Sequence, residues 1–103
     1  MEKFENVTVD KKASSYFDGN VTSRKLTFAD GSVKTLGIMQ VGEYEFGTSQ
    51  KELMEIVAGE LQVKLPNSSV WKTIKAGGTF EIEADEKFYV RVKKVTDYCC
   101  SYS

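Results

Sequence analysis

The chain has 103 residues, 41% of them hydrophobic and 28% charged, and 14 Lys and Arg against 15 Asp and Glu leave a net charge of −1. That length supports one domain with one modest core, and the charge balance lacks the basic face that nucleic-acid binding needs. No apolar run approaches the roughly 18 residues of a membrane span, and with no histidine a Ser-His-Asp triad, a Cys-His pair and any His-ligated metal site are excluded.

A single domain is expected over residues 1–103, with residues 1–12 as a mobile or edge-strand extension. The charged start, Met1-Glu2-Lys3-Phe4-Glu5, has no apolar signal-peptide core, so a cytoplasmic location is expected. Residues 1–4 read as a mobile start. Glu5 to Val9 alternate polar and apolar and predict a short edge strand. Asp10 to Ser15 form a polar connector, and Tyr16-Phe17-Asp18-Gly19-Asn20 an aromatic corner with a turn signal. Val21–Phe28 and Val33–Gln40 read as strands joined by a hairpin turn at Asp30-Gly31.

The next stretch is the most informative. In Gly42–Thr48, Tyr44, Phe46 and Thr48 share one face, while Glu43 and Glu45 point the other way. Glu52, Met54 and Ile56 repeat the alternation, Ala58-Gly59-Glu60 signals a hairpin turn, and Leu61, Val63 and Leu65 continue beyond it. Glu52 therefore falls in phase with residues that should face an interior, a conflict that calls for a reason. Val70–Lys75, Thr79–Glu83 and Phe88–Val95 follow as strands. Thr96-Asp97 reads as a turn before a last strand, Tyr98–Tyr102. About ten short strands and no amphipathic helix predict an all-β sandwich or barrel.

Cys99 and Cys100 are adjacent. Neighbouring cysteines do not suit disulfide geometry, so one buried and one exposed thiol are expected.

Two spacings carry the chemistry. Glu52 is followed by six residues, Gly59 and then Glu60-Leu61, and Gly77 is followed by five residues, Glu83, Ala84, Asp85, two more residues and Phe88. These spacings resemble the two cupin motifs. Phe46 and Thr48 stand at the first-motif histidine pair, Glu83 at its second-motif proline, Asp85 at a glycine and Phe88 at the second-motif histidine. The resemblance implies a cupin-type β-barrel, a jelly-roll-like double-stranded β-helix. Glu52 alone remains at a ligand position. One oxygen donor does not hold a transition metal, so no metal and no cofactor are expected.

A fuller series spans nearly the whole chain: Tyr16-Phe17-x-Gly19-x-Val21-x-Ser23, Gly37-Ile38-Met39, Gly42-Glu43-Tyr44-x-Phe46-x-Thr48, Glu52-x-Met54, Gly59, Trp71, Gly77-x-x-Phe80, Phe88 and Tyr98-x-Cys100-x-Tyr102. It resembles the bacterial pyrimidine/purine nucleoside phosphorylase family, which are small cytosolic cupin-like proteins. The departures are residues 1–12, which extend beyond the compact family start, Val41 in place of a proline, and Ser103 at the end. The resemblance implies phosphorolysis. A purine or pyrimidine nucleoside and inorganic phosphate become a free base and α-D-ribose 1-phosphate, with no metal. The alternative is a metal-free cupin module that binds a nucleoside or other small ligand without turnover. A homodimer paired through edge strands is the expected assembly.

Residue chemistry accommodates this. N-glycosidic cleavage passes through a cationic sugar, which an interior Glu52 can stabilise, as carboxylates do in glycoside hydrolysis; Glu52 is the catalytic candidate. Tyr44, Phe46, Thr48, Met54, Phe80 and Phe88 are the substrate-binding candidates, their rings stacking a base without reading its identity. Ser23 and Arg24 are the candidates for phosphate. The plainer readings stand beside these. Aromatic residues at period two are usually core, Glu52 can be a solvated rim residue or turn cap, and Arg24 and Arg91 can be solvated strand charges. Trp71 and the Tyr16-Phe17 corner read as packing or subunit interface, and Tyr98 and Tyr102 as strand packing, with hydroxyls long enough to reach the pocket mouth.

Overall fold

A computed structural model describes residues 2–103, and Met1, the first residue of the expected mobile start, lies outside the described residues. The described chain is all β, with nine strands: β1 (Thr8–Val9), β2 (Ser14–Tyr16), β3 (Val21–Thr27), β4 (Val33–Met39), β5 (Gly42–Gly47), β6 (Glu52–Lys64), β7 (Trp71–Lys75), β8 (Thr79–Ile82) and β9 (Lys87–Tyr102). Among the described residues no helix is long and apolar enough to cross a membrane.

Two long strands organise the rest. β6 and β9 run antiparallel along their whole length, from Glu52 opposite Tyr102 to Lys64 opposite Tyr89. Their outer edges change partners midway. β9 pairs with β5 through Lys87–Val92 and with β4 through Thr96–Ser101. β6 pairs with β8 through Glu52–Glu55 and with β7 through Glu60–Lys64. The β6–β9 ribbon thus belongs to two layers, β8-β6-β9-β4-β3 and β7-β6-β9-β5, and bends between them.

The bend is where the sequence reading fails. Ala58-Gly59-Glu60 is not a hairpin turn, and Thr96-Asp97 is not a turn either. Both lie inside continuous strands, of 13 and 16 residues. The register shifts between Ile56 and Ala58, between Ala58 and Glu60, and between Glu60 and Leu61. These are β-bulges, which bend a strand and let it pass from one sheet to another. Gly59 has φ +94°, a left-handed conformation that glycine adopts without penalty. Opposite it Thr96 is fully buried, its hydroxyl donating to the Lys94 carbonyl at 2.8 Å. A bulge and a turn share the same residue preferences, so composition does not separate them. The expected ten strands become nine, and the strand pairings do not close into a ring among the described residues.

Inward residues of both layers meet in one core: Val21, Met39, Met54 and Ile56 from one, and Leu61, Val63, Val90 and Val92 from the other. Burial of each aliphatic side chain stabilises by about 1.5–3 kcal/mol. The N-terminal segment runs along the edge of β3, with which β1 pairs. Its Phe4 meets Phe28 edge to face at 5.3 Å, with the Lys34 ammonium 5.5 Å from the Phe4 ring. The edge strand appears where expected but spans only Thr8–Val9. The polar connector gains a second short strand, β2, paired with β3. Both thiols are buried and free, so the expectation of one exposed cysteine does not hold. Cys99 faces outward from β9, yet its neighbours still cover it.

Candidate functional site

The two layers part at one end and leave a cavity of about 170 Å³. Its floor is the inner face of β3, β4, β6 and β9: Val21 and Ser23, Met39, Glu52 and Met54, and Tyr98, Cys100 and Tyr102. Phe46, Gly47 and Phe88 form the facing wall, and Tyr16 stands at the edge. Strand register explains the floor. Glu52 lies opposite Tyr102, Met54 opposite Cys100 and Ile56 opposite Tyr98, and paired residues share a face of a sheet.

Glu52 sits within this set, half-buried. Burial raises its carboxyl above the ordinary value, a shift that the Cys100 thiol moderates by donating to Oε1 at 3.5 Å. Burial, with the Glu52 charge second, pushes the Cys100 thiol up to about 12. Cys100 is therefore a proton-bearing hydrogen-bond donor at neutral pH, not a nucleophile. The Tyr102 hydroxyl lies 3.2 Å from Thr35 Oγ1, and burial keeps the phenol protonated. Tyr98 donates to the Thr22 carbonyl at 3.4 Å, and burial raises it to about 12. Its hydroxyl occupies the space above Gly37, where an added Cβ would lie 2.6 Å from it. Around one carboxylate the floor thus presents only neutral donors.

The wall is aromatic. Phe46 stacks on Phe88 with centroids 5.4 Å apart, and Phe80 meets Phe88 edge to face at 6.0 Å. The exposed Phe17 leans on Tyr44 at 5.0 Å and on Phe46 at 5.6 Å. The turn that carries Phe17 is unusual, with φ +52° at Phe17, +57° at Asp18 and +87° at Gly19. Left-handed backbone at a bulky residue costs energy, and the Phe17 ring contacts accompany it here. Among the described residues no cluster of three or more Cys, Asp or Glu side chains is arranged to hold a metal.

A family model described as pyrimidine/purine nucleoside phosphorylase matches residues 11–102. The chain is 63% identical over 102 residues to a Sulfurovum protein named pyrimidine/purine nucleoside phosphorylase, covering 99% of each chain. A Leptospira interrogans protein of the same name is 59% identical over 102 residues, with 99% of this chain and 96% of that one covered. The chain belongs to the pyrimidine/purine nucleoside phosphorylase family. A solved structure of a protein of unknown function from Acinetobacter sp. ADP1 superposes with TM-score 0.95 at 35% identity over 98% of each chain. An RmlC-like cupin from Shewanella frigidimarina superposes with TM-score 0.73 at 17% identity, covering 100% of this chain and 94% of that one, a likeness of fold alone. Residues 1–12 are not an extension beyond these relatives, since the Sulfurovum phosphorylase aligns along 99% of its own length as well.

In this phosphorylase-family chain the structure brings together Glu52, Phe46, Met54, Phe88 and Ser23 around one cavity. It leaves others outside. Tyr44 and Phe80 are buried behind the aromatic wall, and the Tyr44 hydroxyl donates to the Gln40 carbonyl at 2.8 Å. Thr48 donates to the Glu83 carbonyl at 2.6 Å and accepts from the Glu86 amide at 3.0 Å, so it ties two loops together. Arg24 faces away from the cavity. Its Nε donates to the Lys11 carbonyl at 3.5 Å, and the side chain borders a separate outer groove with Leu36 and Asp97. Neighbours along a strand point to opposite faces, so Ser23 and Arg24 cannot both enter. Tyr16, Tyr98, Cys100 and Tyr102 are not among the substrate-binding candidates, yet all four line the cavity, Tyr98 and Tyr102 as the alternative to strand packing has them. The period-two spacing of Tyr98, Cys100 and Tyr102 was a signal for them. What sequence lacks is the partner strand that carries Glu52.

Proposed function

We propose that this chain catalyses phosphorolysis of purine and pyrimidine nucleosides to a free base and α-D-ribose 1-phosphate, as a pentosyltransferase of the glycosyltransferase class. The observation that carries the reading is the 63% identity, along 99% of both chains, with a relative named for that activity. The cavity is consistent with it, because a half-buried carboxylate faces an aromatic wall that can take any base.

In the reaction the C1′–N bond breaks and its electron pair leaves on the base. A phosphate oxygen bonds to C1′, and the proton that the phosphate gives up ends on the departing nitrogen. The sugar carries positive charge in between. Glu52 stabilises that charge, or holds the ribose hydroxyls beside it, in surroundings where burial strengthens the interaction. Phe46 and Phe88 stack the base, with Met54 beneath. Tyr44 and Phe80 back them, and Thr48 steadies the loop that carries Gly47. No step needs a metal or cofactor. The finer architecture we propose is a cupin-type barrel, consistent with the cupin likeness. One domain over residues 1–103, a homodimer paired through an edge strand such as β1, and a cytoplasmic location complete the reading.

Purified protein incubated with inosine, uridine or adenosine is expected to release free base only when phosphate is present. Base release without phosphate would exclude phosphorolysis. Thermal stabilisation by nucleoside with no base released would favour the binding module instead. Phe46→Ala is expected to raise KM about 5- to 150-fold for purine and pyrimidine nucleosides alike, from the loss of about 1–3 kcal/mol of stacking. An unchanged KM would remove Phe46 from the base site.

A further inference from the structure

A phosphorylase must hold an anion, yet this cavity offers no cation. Of the side chains lining it, among the described residues, Glu52 alone carries a formal charge. The nearby cations are engaged on the outside. Lys51 pairs with Glu81 and Glu83 at 3.7 and 3.8 Å, Lys87 with Glu45 at 3.5 Å, and Arg91 with Glu43 at 3.5 Å, while Arg24 lies on the opposite face of β3.

The groups that face Glu52 are Cys100, Tyr102 and Tyr98 from β9, Ser23 from β3 and Tyr16 from β2. Phe46 and Gly47 of β5 and Ile82 of β8 add no charge. Cys100 donates to Oε1, and the other lone pairs of the carboxylate remain for a ligand. An ionised carboxylate only accepts hydrogen bonds. A fully ionised tetrahedral anion also only accepts, so the two repel in a site without a cation. An anion that keeps a hydroxyl can instead donate to Glu52; the monohydrogen dianion keeps one but brings two negative charges to a carboxylate with no lining cation among the described residues, whereas the dihydrogen monoanion brings one. Donors for its other oxygens are at hand. Ser23 is buried on the floor beside Tyr98, and with Thr35 donating to it Tyr102 can turn its phenol proton from Cys100 to a ligand.

We propose that the phosphate taken by this pocket is the dihydrogen monoanion, donating a P–OH to the Glu52 carboxylate and accepting from the hydroxyls of Ser23 and Tyr102. This rests on the phosphorolysis reading and deepens it, because it names the ionic form of the second substrate and replaces Arg24 with neutral donors. The bound proton is shared between phosphate and Glu52, and which oxygen carries it does not change the count. Above the second ionisation of phosphate, binding must recover that proton from solvent. Affinity for total phosphate therefore falls about tenfold per pH unit. Sulfate, which has no proton to give at these pH values, is rejected.

Two measurements test this on the full chain. The first is calorimetric titration with inorganic phosphate and with sulfate, at about pH 6 and about pH 8, on either side of the phosphate ionisation, with and without nucleoside. The second is KM for phosphate and for nucleoside in the base-release assay over the same range. Phosphate affinity is expected to weaken with rising pH, with about one proton taken up per phosphate at the higher value, while the nucleoside KM stays flat. Sulfate is expected to bind roughly 100-fold more weakly than phosphate or worse. In Glu52→Gln, whose amide can donate, the pH slope should vanish and sulfate should bind. Tyr102→Phe is expected to raise the phosphate KM about tenfold and leave the nucleoside KM unchanged, and Arg24→Ala to change neither. Phosphate affinity independent of pH, sulfate binding as tightly as phosphate, or no phosphate binding under any of these conditions would overturn the proposal. Base release with a flat phosphate KM sinks it alone. A pH-dependent phosphate affinity without base release sinks the phosphorolysis reading and leaves the anion site standing.

Discussion

Glu52→Gln is expected to lower kcat for phosphorolysis by about 10²- to 10³-fold, the usual cost of removing one preorganised electrostatic partner of the transition state. The substitution keeps the shape and removes the charge that meets the cationic sugar. The fold should not suffer. Burial raises the Glu52 carboxyl above its ordinary value of 4.5, so the folded chain holds that proton more tightly than the unfolded chain does. Such a group destabilises the fold progressively as pH rises from the ordinary value through the raised one, and the cost is complete above both. Glutamine carries no such cost. At neutral pH the variant should therefore melt at or above the wild-type temperature, and the difference should close as pH falls below the ordinary carboxyl value. Thermal denaturation across pH alongside steady-state kinetics separates the two effects. A wild-type rate in Glu52→Gln would end the catalytic assignment, and a large loss of Tm at neutral pH would mean that the charged form stabilises the fold.

Gly59→Ala should be the most damaging small substitution in the bend. Gly59 has φ +94°, and an added Cβ would meet the Val95 carbonyl oxygen and lie 2.7 Å from both Cα and Oγ1 of Thr96. Those atoms are backbone or fully buried, so little can move aside. Left-handed strain costs about 1–3 kcal/mol and overpacking about as much again, for a loss of about 3 kcal/mol or more. For a domain of this size that is a fall in Tm of about 12–24 °C. Because β6 and β9 bend together here, the damage should reach the cavity, where the register of Glu52 against Tyr102 depends on the bend. Gly31, also at positive φ but with open space around its Cβ position, is the control. Gly31→Ala should cost only its local strain. Equal losses at both positions would show that the crowding at Gly59 does not matter.

Alternation and turn chemistry were enough to read much of this chain. The period-two pattern of Phe80 and Ile82, the Asp30-Gly31 turn and the inward phase of Glu52, Met54 and Ile56 all reappear in the strands. So does the aromatic set, although only Phe46 and Phe88 of its members reach the cavity. These features are local, because each residue's side follows from its neighbours one or two positions away. The family resemblance was likewise carried by residues in order along the chain.

What the chain could not show by itself is which strands lie side by side and where they bend. Ala58-Gly59-Glu60 and Thr96-Asp97 look like turns because bulges use the same small and polar residues. Only the long-range pairing of β6 with β9 makes them one shared corner. That pairing also set Tyr102 and Cys100 against Glu52 and Met54, and so supplied the floor of protonated donors. Parity alone kept Arg24 out, since Ser23 faces in. Glu52 in an interior position was legible from alternation, whereas its neutral company was decided by contacts between residues nearly fifty positions apart.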